Sequence, residues 1–354
     1  MELKRVLIMA GGTGGHVFPA LAIAKKLMDE GCQILWLGTR GRMEEQLVPK
    51  YGIDIEYIDV KGIRKNGVRT KLSAPFMVLK AVLQAKRVIK KFRPQVVLGM
   101  GGYASGPGGV AAYLQGIPVV LHEQNAKAGL TNRLLFKIAK RALLGFPGAF
   151  TGSKVTVVGN PVRESIVKLN ELVRDFTLNP LKISIIGGSL GARALNEIVP
   201  EALMNFKSDS IKVVHQCGKG NSENVKKAYQ KAAFDVSVSD FVDDMDDLYK
   251  NTDLIICRAG ALTVAEVTCA GVPAIFVPLP TAVDDHQYKN ASFVQKECGA
   301  VIFRQHELTS EILFNTINDL NNNRAKLEQM SQNAKHCAKL NATEKAVEII
   351  KELV

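Results

Sequence analysis

The chain has 354 residues, of which 47% are hydrophobic and 23% are charged. This composition is typical of a folded globular protein, and the lack of Pro-rich, Gln-rich or Ser-rich tracts argues against a long disordered arm. The length exceeds what one ordinary hydrophobic core supports and predicts two domains.

The net charge of +12 is unevenly distributed. Residues 1–160 contain 24 Lys and Arg against 9 Asp and Glu, a balance of +15, whereas residues 161–354 contain 22 against 25. A basic first half predicts an anionic partner for that half alone, which could be nucleic acid, an anionic membrane leaflet or a phosphorylated substrate.

The six cysteines are scattered, without the spacing of a zinc site, and we expect them to be reduced. The N-terminal stretch MELKRVLIMAGG has an apolar run of only five residues, too short for a signal-peptide core. No run approaches the roughly 18 apolar residues of a membrane span. These features predict a cytoplasmic protein.

Short runs rich in Val and Ile alternate with amphipathic stretches along the chain. Because the runs are apolar on both faces, they predict buried parallel strands. The predicted strands cover residues 5–10, 33–38, 95–101, 118–124, 182–188, 211–218, 253–260 and 273–280. Helices are predicted between them, for example over 19–31 and 192–206. The alternation is typical of an α/β doubly wound fold.

The same pattern begins twice. IMAGGTGG opens the first half and SIIGGSLGAR opens the second, with the glycine pairs 176 residues apart. We therefore predict two Rossmann-like domains with parallel sheets facing across a ligand-binding cleft, joined near VVGNPVR at 157–163.

Four glycine-containing turns each separate a predicted strand from a predicted helix: GGTGGH at 11–16, MGGYASGPGG at 100–109, GGSLGAR at 187–193 and RAGALT at 258–263. Such turns present backbone amides and a helix N-terminus to an anion, usually phosphate. The GxGxxG spacing fails because position 17 is Val, and GxxxxGK[ST] is absent. The pattern therefore favours a nucleotide-sugar enzyme over a dehydrogenase or a P-loop nucleotidase.

His16 falls in the first turn of the helix after the first glycine loop. The helix dipole lowers the pKa of an imidazole there, which suits a general base or a partner for a hydroxyl. A plain capping role at the helix start fits the sequence equally well. His122 and Glu123 end a predicted strand, either as a pair at the edge of the cleft or as a simple turn.

Two acidic clusters allow two interpretations each. DFVDDMDDLY at 240–249 has an Asp-x-Asp spacing that could hold Mg²⁺, but its place at a helix start favours N-capping. VDDHQ at 283–287 follows a predicted strand. At the carboxyl end of that strand, Asp285, His286 and Gln287 could contact a polar ligand, but a solvated loop explains the segment equally well.

The segment 62–94 combines apolar and basic side chains on one helical stretch. Its apolar members are Phe76, Met77, Leu79, Val82 and Leu83, and its basic members are Arg64, Lys65, Arg69, Lys71, Lys80, Lys86 and Arg87. Interfacial membrane docking requires this combination, although part of the apolar stripe is also expected to face the core.

GGTGGHVFPA, MGGYASGP, HEQN, GNPVR, GGSLGAR and RAGALTVAE occur in this order between residues 11 and 288. In these motifs the chain closely resembles the MurG family of bacterial N-acetylglucosamine transferases. The resemblance implies the GT-B fold, with an acceptor domain at 1–160 that associates with the membrane, a UDP-GlcNAc-binding domain at 161–341, and a last helix at 342–354 that crosses back to the first domain.

The resemblance also implies an activity. The family transfers GlcNAc with inversion from UDP-GlcNAc to the MurNAc 4-hydroxyl of undecaprenyl-linked lipid I, which yields β-1,4-linked lipid II for peptidoglycan synthesis. Such an enzyme works on the cytoplasmic face of the inner membrane, and its leaving diphosphate has no obligatory need for a metal.

The matching motifs assign residues to three roles. His16 is the candidate base, although it could instead orient a substrate while Glu123 or water takes the proton. The donor-binding set is Thr13, Gly14, Gly15, Asn125, Arg163, Ser189, Val242, Gly260, Ala261, Leu262, Thr263, Glu266 and Gln287. The acceptor-binding set is Gly11, Gly12, Gly101, Gly102, Tyr103 and Ser105, whose glycines are expected to cradle the diphosphate of the acceptor. In the donor set, Glu266 is expected at the ribose, the Val242 backbone at the uracil and Gln287 at the GlcNAc hydroxyls.

Two positions depart from the expected family pattern. Leu190 stands where the third loop often has Gln, and His286 precedes Gln287 where some members have a second Gln.

Two other functions compete with the transferase. A UDP-GlcNAc 2-epimerase shares the architecture and the nucleotide but needs no lipid acceptor. A nucleic-acid-binding protein explains the basic half but not four glycine loops, and we expect no nucleic-acid partner.

Overall fold

A computed structural model of the chain describes residues 2–60, 68–188 and 190–354. The chain divides into two compact units, Met1–Arg163 with Lys339–Val354, and Glu164–Ala338. Each division lies three residues from the predicted one, at 160/161 and 341/342. At the end of the first segment of the first unit, the guanidinium of Arg163 lies 5.7 Å from the ring centre of Phe18. Where the chain returns to this unit, the side chain of Lys339 packs directly on Gly159.

The first unit contains a seven-stranded parallel sheet. Its strands are β1 Arg5–Met9, β2 Gln33–Gly38, β3 Asp54–Tyr57, β4 Val96–Gly99, β5 Val119–Glu123, β6 Arg141–Leu144 and β7 Val155–Val157. Its helices are α1 Gly14–Asp29, α2 Met43–Leu47, α3 Val68–Phe92, α4 Ser105–Tyr113 and α5 Leu130–Phe136. Short 3-10 turns follow α2 at Val48–Tyr51 and, in the second unit, α6 at Leu169–Glu171.

The second unit repeats this plan with six parallel strands. They are β8 Leu181–Ile186, β9 Ile211–Gln216, β10 Asp235–Ser239, β11 Leu254–Cys257, β12 Ala274–Phe276 and β13 Ala300–Ile302. The helices are α6 Glu164–Lys168, α7 Arg193–Leu203, α8 Ser222–Ala228, α9 Met245–Lys250, α10 Ala261–Ala270, α11 His286–Lys296, α12 Ser310–Asn322 and α13 Arg324–Cys337. The last helix, α14 Ala342–Lys351, lies in the first unit.

The two sheets have the same strand order. It is β3-β2-β1-β4-β5-β6-β7 in the first unit and β10-β9-β8-β11-β12-β13 in the second. In both, the order reverses beside the first strand, between β1 and β4 and between β8 and β11. Ligands of doubly wound folds bind at the carboxyl ends of the strands at this switch point. All four glycine loops follow these four strands.

Apolar packing covers both faces of the first sheet. One face packs on α1 and α14, whose Ala346, Val347 and Ile350 are buried in the same cluster as Val6 and Ile8. The other face carries a cluster that includes residues of α3 and α4. The second unit has its own large core around β8, β9 and β11. Burial on both faces is why the strands read as continuous apolar runs.

All eight predicted strands are confirmed. The sequence did not reveal five strands. Four of them, β3, β7, β10 and β13, are short and lie at sheet edges, where the side chains are only partly buried and no continuous apolar run is needed. The fifth, β6, is largely buried but has only four residues. Helix α1 begins at Gly14, five residues before the predicted start, because Pro19 is accommodated inside it.

The basic and apolar segment 62–94 forms α3 from Val68 onward. Arg64 and Lys65 lie outside the described residues. Val82 is buried in the core, whereas Phe76, Leu79 and Leu83 are exposed. The expectation that part of the apolar stripe faces the core is therefore confirmed for Val82, whereas membrane docking by the exposed part stays a prediction.

Candidate functional site

The two glycine loops of the first unit touch each other at the β1/β4 switch point. A Cβ atom on Gly102 would lie 2.5 Å from the carbonyl oxygen of Gly11, so only glycine allows this approach. The hydroxyl of the buried Ser105 lies 2.6 Å from the Gly101 carbonyl and 2.9 Å from that of Met9. The structure thus brings together the loops that carry the predicted acceptor residues.

His16 sits in the first turn of α1, against the second loop. Its Nδ1 lies 3.2 Å from the carbonyl oxygen of Gly11. Because a carbonyl only accepts, Nδ1 carries the proton and Nε2 carries the lone pair. A Cβ on Gly101 would come within 3.0 Å of Nε2, so the absence of a side chain there makes room for the imidazole.

Burial lowers the pKa of His16 below its usual value of 6.5. The hydrogen bond to Gly11 and the nearby carboxylates of Glu123 and Glu44 act in the opposite direction. The imidazole is therefore neutral at physiological pH, with the protonation state that a general base needs.

Glu44 approaches the first glycine loop from α2 and was not found by sequence reasoning. Its carboxylate accepts hydrogen bonds from the amide of Gly12 at 3.0 Å and from the amide and hydroxyl of Thr39. The glycine pattern predicts an outward-facing amide at Gly12, but this amide points to a buried carboxylate. The only sequence signal was an acidic pair in GRMEEQL after a buried strand.

Glu123 is buried at the end of β5, and its carboxylate binds four donors. They are the backbone amides of Asn125 and Gly129 and the side-chain amides of Asn125 and Asn132, at 2.9 to 3.2 Å. The carboxylate therefore holds the HEQN turn and the start of α5. Neighbouring His122 is buried with Nε2 2.9 Å from the Gly159 carbonyl, and burial lowers its pKa to about 4.

Other predicted residues of the first unit lie around the same loops. Thr13 precedes α1 in extended conformation and is exposed, while Gly14 faces the ring of Phe18. Tyr103 is partly exposed, and the guanidinium of Arg42 lies 5.6 Å from the centre of the Tyr103 ring. Arg163 lies over Phe18 at 5.7 Å, as described above.

The second unit holds its glycine loop in a different way. Gln216, at the end of β9, accepts from the amide of Gly188 and donates to its carbonyl, both at 3.0 Å. The same side-chain amide donates to the carbonyl of Asp240, two residues before Val242. Ser189 lies outside the described residues, and Leu190 is 90% exposed.

Helix α10 begins at the second switch point. Gly260 precedes it in extended conformation, and Ala261, Leu262 and Thr263 form its first turn, where the positive end of the helix dipole lies. Further along this helix, Glu266 is buried and its Oε2 accepts a 3.0 Å hydrogen bond from the hydroxyl of Tyr249. Sequence reasoning missed Tyr249, which ends DFVDDMDDLY.

The acidic clusters have mainly local roles. Asp244 caps α9 by accepting from the amide of Asp247, which confirms the capping interpretation. Asp285 pairs with Arg304 at 2.9 Å. Gln287 accepts from the amide of Leu279, while Nδ1 of His286 lies 2.8 Å from the Val283 carbonyl. Within the described residues, no group of three His, Cys, Asp or Glu side chains has the arrangement of a metal site.

Two doubly wound parallel sheets, each with a pair of glycine loops at its switch point, are the architecture of the GT-B class. The glycosyltransferase family 28 N-terminal domain matches residues 6–144, and the C-terminal domain of the same family matches residues 182–353. The chain belongs to glycosyltransferase family 28.

Similar proteins cover nearly the whole chain. A protein of Tolumonas auensis is 53% identical over 99% of both chains, and one of Shewanella sp. strain MR-4 is 51% identical over 98% of this chain and 96% of its own. Both are named UDP-N-acetylglucosamine--N-acetylmuramyl-(pentapeptide) pyrophosphoryl-undecaprenol N-acetylglucosamine transferase. The structure of MurG from Acinetobacter baumannii matches with 44% identity, 99% coverage of both chains and a TM-score of 0.83. The resemblance to the MurG family is confirmed.

More distant structures share the fold alone. The UDP-GlcNAc 2-epimerase of Neisseria meningitidis, solved with UDP-GlcNAc, is 14% identical, with a TM-score of 0.71 over 98% of this chain and 99% of its own. The epimerase alternative therefore has architectural support only. In the part of the chain that the structure describes, no helix has the length and apolarity needed to cross a bilayer.

Proposed function

We propose that this enzyme transfers GlcNAc from UDP-GlcNAc to the MurNAc 4-hydroxyl of lipid I and forms β-1,4-linked lipid II. The observation that carries the proposal is the identity of 51% and 53%, across nearly the full chain, to relatives named for this transfer. The donor and the lipid-linked acceptor follow from the same relatives.

His16 is the proposed base. Its protonated Nδ1 is tied to Gly11, so Nε2 is the nitrogen that accepts the proton of the acceptor hydroxyl. The hydroxyl oxygen forms a bond to C1 of GlcNAc while the bond from C1 to the diphosphate breaks. The electron pair leaves with UDP, and attack from the opposite face inverts the anomeric centre. Glu123 supports this step as a positioning residue, because its carboxylate is occupied by four donors.

The second unit supplies most of the donor site. The first turn of α10, with Gly260, Ala261, Leu262 and Thr263, faces the diphosphate with its positive helix end, without an obligatory metal. Glu266 binds the ribose hydroxyls, the Val242 backbone binds uracil, and Gln287 binds the GlcNAc hydroxyls. Ser189, Arg163, Asn125 and residues 13–15 complete the proposed donor contacts.

The first unit binds the acceptor through its two glycine loops. Gly101, Gly102 and Tyr103 are the proposed contacts of the lipid-linked diphosphate. Gly11 and Ser105 contribute by holding the two loops together, and Gly12 contributes by anchoring the first loop to Glu44.

The outer surface of α3 and α4 is the proposed contact with the cytoplasmic face of the membrane. Phe76 of α3 is 77% exposed and Leu114 at the end of α4 is 63% exposed, and the two helices pack side by side. Lys86 and Arg87 are exposed on α3. Apolar side chains beside basic ones match an anionic leaflet. The enzyme should sediment together with vesicles that contain anionic lipid. Phe76→Ser should lower the fraction of enzyme bound to the vesicles, whereas Phe241→Ser in the second unit should leave it unchanged.

Radiolabelled UDP-GlcNAc and a lipid I analogue test the function. Label in the lipid product, with a stoichiometric amount of UDP, supports the transferase. Release of UDP with free ManNAc and no labelled lipid supports an epimerase instead. Salt-sensitive nucleic-acid binding without turnover contradicts both enzymes.

A further inference from the structure

Glu44 is a buried carboxylate whose role the transfer reaction does not explain. It is 1% exposed, and no ion pair to it occurs among the described residues. Its three hydrogen-bond donors are the Gly12 amide and the amide and hydroxyl of Thr39. A buried charge is retained against its desolvation cost only when such donors hold it in place.

The Gly12 amide and the Gly11 carbonyl belong to one peptide group. The N–H end of this peptide donates to Glu44 Oε2 at 3.0 Å, and the C=O end lies 3.2 Å from Nδ1 of His16. One planar peptide therefore lies between the carboxylate and the imidazole. The carboxylate polarises this peptide and strengthens the acceptor that the imidazole N–H meets.

The first glycine of the loop is required by the same contact. A Cβ on Gly11 would come within 2.3 Å of Glu44 Oε1, so only glycine leaves room for the carboxylate beneath the loop. The side chain of Glu44, rather than a ligand, thus fills the space next to this glycine.

We propose that Glu44 is a positioning residue for His16, which it orients and polarises through the peptide group between Gly11 and Gly12. The inference rests on the proposed function in that it gives the base its orientation. It fixes the tautomer with the proton on Nδ1, so that Nε2 carries the lone pair.

The charges around His16 set the direction of the expected pH effect. Glu44 and Glu123 face the imidazole, and both raise its pKa against the larger effect of burial. Around Glu44 itself lie Glu45, Arg40 and Tyr57, with the Arg40 guanidinium 4.3 Å from the Tyr57 ring centre. Removing the charge of Glu44 leaves the burial effect and Glu123, so the pKa of His16 falls.

The test compares Glu44→Gln with Glu45→Gln in the full-length enzyme. Glu45 is the matched control, because its carboxylate binds Arg40 and the amide of Gly41 but not the glycine loop. Nitrogen-15 spectra of the histidine rings, assigned with His16→Ala, report the tautomer and pKa of His16. In Glu44→Gln the pKa of His16 should fall and the Nδ1–H tautomer should lose population, while Glu45→Gln should match the wild type.

Transfer kinetics give a second readout. Glu44→Gln should lower kcat about 10- to 100-fold with the KM for UDP-GlcNAc changed less than about twofold. The acid limb of its pH profile should move to lower pH, because the base stays deprotonated further into acid. Glu44→Asp keeps the charge but moves it away from Gly12. The population of the Nδ1–H tautomer should therefore fall, while the pKa of His16 stays closer to the wild-type value.

The outcomes separate the two proposals. A wild-type tautomer and pKa of His16 in folded Glu44→Gln overturn the role of Glu44. If Glu44→Gln does not fold, a wild-type tautomer and kcat in Glu44→Asp do the same. Normal turnover in His16→Ala overturns the base assignment instead, and the ring spectra of Glu44→Gln still decide whether Glu44 orients the imidazole.

Discussion

The glycine loop after β1 and the glycine loop after β8 have the same build but different supports. In each, the amide of the second glycine donates to a side chain from a neighbouring segment. This segment is α2, which follows β2, in the first unit and the end of β9 in the second. In the first unit this acceptor is the carboxylate of Glu44, whereas in the second it is the neutral amide of Gln216. Both hydrogen bonds are 3.0 Å long.

The charge difference matches the proposed tasks of the two loops. A carboxylate under the first loop raises the basicity of His16, which has to accept a proton. Both units are proposed to bind a diphosphate. In the first unit the proposed contacts belong to the other glycine loop, at Gly101, Gly102 and Tyr103, whereas in the second unit Ser189 of the loop after β8 is itself a proposed donor contact. A carboxylate there would repel the ligand, while an amide holds the loop equally well without a charge.

The largest expected effect concerns the residue that only the first loop carries. His16→Ala should lower kcat about 10²-fold or more because the acceptor hydroxyl loses its base, while the Kd of UDP-GlcNAc stays near the wild-type value. Transfer to a lipid I analogue and calorimetric titration measure the two quantities. His306→Ala, an exposed histidine of the second unit, is the control. Turnover of His16→Ala near the wild-type rate would show that the loop after β1 carries no catalytic base and does not differ from the loop after β8 in this respect.

Acid should destabilise both units through one buried histidine in each. Burial lowers the pKa of His122 and of His215 to about 4, below the unfolded value near 6.5. The unfolded chain then binds more protons between these pKa values, so stability falls as the pH drops from 6.5 toward 4. Each histidine should lower the free energy of unfolding by about 2 kcal/mol between pH 7 and pH 5.

Urea unfolding of His122→Gln and His215→Gln at the two pH values measures this effect. Each variant should lose less stability on acidification than the wild type, and separate transitions would assign the loss to its own unit. An unchanged pH dependence in both variants would contradict the assignment.

Exchanging the support of the second loop tests its neutrality directly. Gln216→Glu should weaken UDP-GlcNAc binding about tenfold, or roughly 1.4 kcal/mol, because it adds a negative charge beneath a loop of the donor unit. Gln216→Met removes the same hydrogen bonds without adding charge and is the matched control. Equal Kd values for the two variants would show that charge at this position is irrelevant.

A smaller effect is expected from the hydroxyl that holds Glu266. Tyr249→Phe should raise the Kd of UDP-GlcNAc about fivefold, since it removes a hydrogen bond worth about 1 kcal/mol. With a 2′-deoxyuridine donor the penalty should shrink, because Glu266 then has less ribose to bind. Tyr229→Phe, which removes the bond to His215, is the control. An equal penalty with both donors would indicate a general packing defect.

Much of the fold could be predicted because buried parallel strands have a strong local signature. Eight apolar runs marked eight strands, and glycine loops marked the ends of the four strands at the switch points. Strands such as β10, with the sequence DVSVS, escaped prediction because they are short, alternate in polarity and lie at an edge. Their place depends on pairing with β9, which no local pattern encodes.

The residues of the candidate site were predicted unevenly for the same reason. His16 follows its loop directly and was found, and Asp244 was recognised as a cap from its neighbours. Glu44 and Tyr249 were missed, because each acts on a residue far away in the sequence. Glu44 meets Gly12 across 32 positions, and Tyr249 meets Glu266 across 17.

The sequence by itself determined two doubly wound units, the positions of the glycine loops and the histidine at the start of α1. These depend on local periodicity and on backbone freedom, which adjacent residues set. Only the tertiary structure decided what occupies the space beside the glycines: Glu44 and the second loop in the first unit, and Gln216 in the second. A side chain of a distant segment, such as Glu44 of α2 or Gln216 of β9, becomes a hydrogen-bond partner only when the fold brings the two segments together.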